Sequence, residues 1–169
     1  MRIMILGAML GVLLANAAVG AQEKSVAVQG FERLKALEGE WIDVDGTFGA
    51  KGAVAVTYKV TGGGHAVVET FPVNTPHEMV TIYHLDGDQL TLTHYCSSNT
   101  QPRMRSKGLA GNVLAFQFAD GANIDPAKTS HMHAAKIEFV SADEIRGTWD
   151  NWDNGKADHS ATFRVVRKK

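Results

Sequence analysis

Histidine and cysteine are where this chain of 169 residues could do chemistry, with seven of the first and one of the second. In the run QLTLTHYCSSNTQPRMR at 89–105, alternate positions share one face of a strand, which groups Leu90, Leu92, His94 and Cys96. An apolar face that ends in imidazole and thiol implies water, metal or ligand there, because a buried polar group without a partner costs about 1–3 kcal/mol. His131 and His133 stand at i, i+2, which sets two imidazoles side by side, and His94 completes a three-histidine set for a transition metal. His159 offers a ring nitrogen as axial ligand to a heme, with Met79, Leu92, Trp149 and Phe163 as apolar walls. Cys96 opposite His77, with His94 near, is a thiol that an imidazole could activate. No oxyanion hole can be read beside it, so no catalytic residue is assigned. Arg103, alternating with Met104, either belongs to a solvated outer face with Arg105 and Lys107 or meets a ligand carboxylate.

These residues need a scaffold, and the hydrophobic pattern supplies strands. Residues 25–37, SVAVQGFERLKAL, place Phe31, Leu34 and Leu37 on one helical stripe. Alternating or β-branched runs then recur at 40–45, 53–60, 65–71, 77–85, 89–96, 102–107, 112–118, 131–140, 144–152 and 158–167. Turn residues separate most of them, at Gly62-Gly63-Gly64, Asp86-Gly87, Ser141-Ala142-Asp143 and Asp153-Asn154-Gly155. The pattern is that of an all-β protein, an up-and-down antiparallel barrel of about ten strands with a short N-terminal helix.

Hairpin geometry extends the reading to register. A two-residue Asp86-Gly87 turn sets Tyr83 against Leu90, Thr81 against Leu92, Met79 against His94 and His77 against Cys96. A three-residue loop at 153–155 sets Ile145 against Phe163, Gly147 against Ala161 and Trp149 against His159. The turn at 141–143 sets Phe139 against Ile145 and Ala135 against Trp149. In a meander the turns alternate between the two ends. Connections 45–52, 72–76, 97–101, 120–130 and 153–155 therefore share one mouth, the end with the longer loops. His77, His94, His131, His133 and His159 gather there on inward positions, whereas His65 and His84 fall at the other end. The predicted ligand-binding set is His77, Met79, His94, Cys96, His133, Trp149 and His159.

Composition bounds the partners. Hydrophobic residues make up 44% of the chain and the formal charge is −1, which gives no reason to expect nucleic acid. Residues 1–21 combine Arg2, an apolar run from Ile3 to Leu14 and small residues ending Val19-Gly20-Ala21, the pattern of a cleaved secretory signal peptide. The run is too short for a membrane anchor, which needs roughly 20 apolar residues. Residues 22–169 then form one domain. Its lone Cys96 excludes an internal disulfide, so packing must stabilise it.

The sequence LEGEW, with Gly39 and Trp41 after a short helix, resembles the Gly-x-Trp start of the first strand in lipocalins and their calycin relatives. That resemblance implies a basic residue of the last strand packed across Trp41, with Arg164 or Arg167 in ATFRVVRKK as candidates. The run PHEMVTIYHLDGDQLTLTHYCSSNTQPRM and the later HMH are similar to a family of exported bacterial lipocalin-like proteins with no established activity. A more distant resemblance is to nitrobindins, ten-stranded calycin barrels that bind ferric heme. It implies His159 as the axial ligand, although Asp43 and Asp45 stand where nitrobindins have glycines. The expectation is a periplasmic or secreted barrel that binds a small, partly apolar ligand at a histidine-lined mouth. The alternative is a heme- or metal-binding protein, with or without weak enzymatic activity.

Overall fold

Alternation of period two becomes a sequence of ten antiparallel strands behind one helix. The computed structural model describes residues 23–49 and 51–169. The expected signal peptide, residues 1–21, lies outside them. Helix α1 (Val26–Lys35) precedes β1 (Gly39–Asp43), β2 (Val54–Thr61), β3 (Ala66–Phe71), β4 (Met79–Asp86) and β5 (Gln89–Tyr95). The second half contributes β6 (Gln101–Ala110), β7 (Val113–Ala122), β8 (His131–Phe139), β9 (Glu144–Asp153) and β10 (Lys156–Arg167). Each strand pairs with its sequence neighbour, and β10 returns to β1 to close the barrel. The expected fold class is the one observed. No helix among the described residues is long and apolar enough to cross a membrane.

Helix α1 plugs the end opposite the mouth. Ser25 caps it, its hydroxyl accepting from the Val28 amide at 3.3 Å, and Arg33 and Lys35 in the last turn suit the negative end of the helix dipole. Ala27, Phe31 and Leu34 are buried on its inner face. Gly30 lets it settle close: a side chain there would begin 3.0 Å from Leu114 and 3.2 Å from Leu90. Beneath it, Leu90, Leu92, Leu114, Phe116, Ile145 and Val165 are fully enclosed. The barrel base is apolar and solid.

Closure also rests on the ends of the chain. The Arg167 guanidinium lies 4.6 Å over the Trp41 ring and donates to the Glu38 carbonyl at 2.8 Å and the Ala36 carbonyl at 2.7 Å. The first-named candidate for this position, Arg164, instead faces Asp45 and Glu144 at 3.6 Å each. Register explains the correction: Trp41 stands opposite Arg167, three residues beyond Arg164 and on the other face of β10.

Two hairpin registers differ from the expected ones by two residues while keeping the faces. Asp86 pairs with Gln89 across a Gly87-Asp88 turn, Gly87 taking φ +59°, so Thr81 faces His94 and Tyr83 faces Leu92. At the last hairpin Asp153 pairs with Lys156 across Asn154-Gly155, both left-handed. A bulge between Ala157 and His159 then restores the apolar faces, setting Trp149 against Ala161 and Gly147 against Phe163. The 141–143 turn pairs Phe139 with Ile145 and Ala135 with Trp149, as read, until a second bulge between Met132 and Ala134.

Candidate functional site

Toward the mouth the apolar filling gives way to polar side chains in one row across β2 to β5. Glu69 on β3 stands beside Tyr58 of β2 and Thr81 of β4. Its carboxyl oxygens accept from the Tyr58 hydroxyl at 2.7 Å and the Tyr83 hydroxyl at 2.5 Å. All three side chains are buried. Removal from water pushes the Glu69 carboxyl above its usual range, opposed by the two phenol hydrogen bonds. Burial also raises both tyrosines well above theirs, with the Glu69 charge adding to it.

In the same row, Thr81 faces His94 across the β4–β5 ladder, and its hydroxyl lies 2.9 Å from His94 Nδ1. The His94 ring is enclosed between Phe71, stacked at 5.7 Å, and Trp149 at 4.7 Å. Burial alone lowers its pKa to about 4, so the imidazole is neutral at physiological pH. His94 lines a cavity of about 120 Å³ with Phe48, Phe71, Met79, Met132, Trp149 and Phe163. Thr47 and Ala161 complete its rim.

A loop between β1 and β2 brings Phe48 over this cavity. Asp43, fully buried, accepts from the backbone amides of Asp45 at 3.1 Å, Gly46 at 2.9 Å and Phe48 at 2.8 Å. Three amides on one carboxylate fold the segment back across the mouth. Phe48 thereby reaches Phe163 at 5.0 Å and Phe71 at 5.9 Å between ring centres. The pattern Asp43-Val44-Asp45-Gly46 carries a turn signal that alternation alone does not use.

Of the seven predicted ligand-binding residues, the structure brings together Met79, His94 and Trp149 around this cavity. The other four lie elsewhere. His77 is exposed in the loop before β4, and Cys96, half-buried after β5, accepts from the Ser98 hydroxyl at 3.1 Å rather than facing His77. The bulge in β8 carries His133 onto Trp152, stacked at 3.8 Å. His131 beside it is buried against Phe118, 4.7 Å between ring centres. The proposed metal set of His94, His131 and His133 is therefore not assembled. Among the described residues no group of three or more potential ligands is placed to hold a metal.

The His131–His133 pair has its own order. His131 Nδ1 lies 2.7 Å from the Thr129 carbonyl, which can only accept, so that nitrogen carries the proton. In the neutral ring Nε2 then accepts from His133 Nδ1 at 3.1 Å.

His159 is exposed at the β10 bulge, its Nδ1 2.7 Å from Asp158 Oδ2. It does not line the cavity, and about 120 Å³ falls well short of the roughly 300–1,000 Å³ of sites for larger ligands. A heme with His159 as axial ligand does not fit these residues. Arg103 pairs with Asp120 on the outer face, Nε at 2.8 Å and Nη2 at 2.6 Å. Larger hollows lie there and beside α1, but outside the barrel, and the Arg103 charge is already met by Asp120.

The signals missed by alternation were Phe48, Phe71 and Met132, which wall the cavity, and the hydrogen-bonded set of Glu69 with Tyr58 and Tyr83. No protein-family model matches the chain, and no curated protein matches it either.

Proposed function

We propose that this barrel binds a small, largely apolar molecule of about one ring in size, held between Phe71, Phe48, Trp149 and Phe163 beneath the mouth. One observation carries the reading: an enclosed, aromatic-walled cavity of about 120 Å³ whose deepest polar group is a single imidazole. Apolar cavities of about 150 Å³ stay dry and take up benzene, so this size suits a monocyclic ring or a short branched chain. An engineered-looking fit is not required, because the affinity of such ligands comes from apolar area removed from water. The residue 1–21 pattern supports a barrel that works outside the cytoplasm, and Trp41 under Arg167 supports the likeness to calycins.

Native mass spectrometry of protein from its own host tests both halves of the proposal. The expected mass lacks residues 1–21 and carries a small adduct that falls away on activation. Fluorobenzene followed by fluorine NMR gives a defined probe. Wild type is expected to bind it and Met132→Trp, which fills the cavity, is expected to lose it with an unchanged circular dichroism spectrum. Equal binding by the two proteins would place the site elsewhere.

A further inference from the structure

The chemical class of the ligand follows from the way Thr81 meets His94. We infer that Thr81 fixes His94 with its proton on Nε2, so that the cavity presents one N–H donor and selects a neutral molecule carrying a hydrogen-bond acceptor, such as an aldehyde, ketone or ester on a single ring. This inference rests on the binding reading above and adds to it the polarity of the one directed contact.

The assignment is a matter of satisfying buried groups. Thr81 is fully buried, and among the described residues its hydroxyl has one partner, His94 Nδ1 at 2.9 Å. A hydroxyl in that position must donate to the ring, or its hydrogen is left without an acceptor at a cost of about 1–3 kcal/mol. If the hydroxyl donates, Nδ1 is the acceptor and the proton of the neutral ring sits on Nε2. The rest of the interior obeys the same rule. Among the described residues the only buried side-chain oxygen or nitrogen without a partner is the Thr91 hydroxyl.

Nε2 is the ring nitrogen farther from the backbone, and His94 points inward from β5 to line the cavity. Phe71 and Trp149 lie against the ring and fix its plane. The N–H therefore looks into an apolar chamber, with no acceptor among the described residues. A ligand with a carbonyl oxygen completes it; a hydrocarbon leaves it unpaired. A protonated Nε2 has no lone pair for a metal ion, and a neutral ring offers no charge to a carboxylate.

Two measurements test the inference independently. Long-range proton–nitrogen NMR of the histidine rings in the free protein at neutral pH is expected to show His94 with Nε2 protonated and Nδ1 bare. Benzaldehyde is expected to bind about three- to tenfold more tightly than toluene, the range one hydrogen bond supplies. In Thr81→Val the tautomer loses its fixing partner, and the preference is expected to fall below about twofold while toluene binds as before. A bare Nε2 in the nitrogen spectrum, or toluene binding as tightly as benzaldehyde to wild type, would overturn the inference. If neither ring binds while the nitrogen spectrum shows the expected tautomer, the binding reading fails and takes the ligand class with it.

Discussion

Glu69 and His94 are buried two strands apart in one row of the same wall, with Thr81 between them, yet their surroundings differ in kind. Both carboxyl oxygens of Glu69 are taken, by Tyr58 and Tyr83, and the three groups close on one another. His94 has one nitrogen taken by Thr81, and its ring lines the cavity. A buried polar group with every partner present ties strands together, whereas one at a cavity wall is the place where the proposed ligand would be met. The contrast sorts the two stations by their partners rather than by residue type, since a buried glutamate would ordinarily attract the catalytic reading.

The comparison can be broken most severely at Glu69. Glu69→Ala leaves two buried phenols without an acceptor and opens a cavity, and is expected to cost about 3–5 kcal/mol in urea unfolding. A loss under about 1 kcal/mol would mean that the triad does not tie β2, β3 and β4 together.

The next largest effect is one of pH, and the two stations should pull in opposite directions. His94 has its pKa lowered from 6.5 to about 4, so below pH 6.5 the unfolded chain binds the proton that the folded chain refuses. Its contribution is complete above 6.5 and is lost as pH falls toward 4, roughly 3 kcal/mol in all. Glu69 is raised, so it favours the folded state at pH below its ordinary 4.5 and gives that contribution up as pH rises through its folded value. His94→Phe is expected to flatten the decline between pH 6.5 and 4 in denaturant titrations, and an unchanged slope would show that another group carries it.

The smallest effect sharpens the point. Arg103 and Asp120 satisfy each other as fully as Glu69 and its tyrosines do, but on the outer face, about half exposed. Arg103→Ala should leave the urea unfolding midpoint almost unchanged and fluorobenzene binding unchanged. A loss approaching that of Glu69→Ala would show that pairing alone, and not pairing under burial, sets the stake.

Much of this molecule was legible in its sequence, for reasons that also mark where reading stops. Alternation found all ten strands because one face of each is buried, and glycine turns divided them. The inward face of β5 led directly to His94. Glu69 was passed over because the register of its hairpin could not be chosen from apolar matching alone. His133 was misplaced by the bulge between Met132 and Ala134, and His159 by the two-residue register difference that sets it opposite Asn151, beyond Trp149. A single inserted residue reverses a period of two, and nothing in His-Met-His announces it. Phe48 was missed because its position depends on three amides turned toward Asp43, a loop property with no periodicity.

The β10 bulge has a use of its own. Strand β1 pairs with β10 only over Val165–Arg167, and Lys156–Thr162 are exposed. Among the described residues, one side of that stretch pairs with no strand of the barrel. Asp158, the extra residue of the bulge, breaks the ladder's repeat in its middle, and its carboxylate, with Lys156 two residues before, sets charge along the edge. A bulge and charges on an exposed edge of this kind disfavour pairing with a further strand.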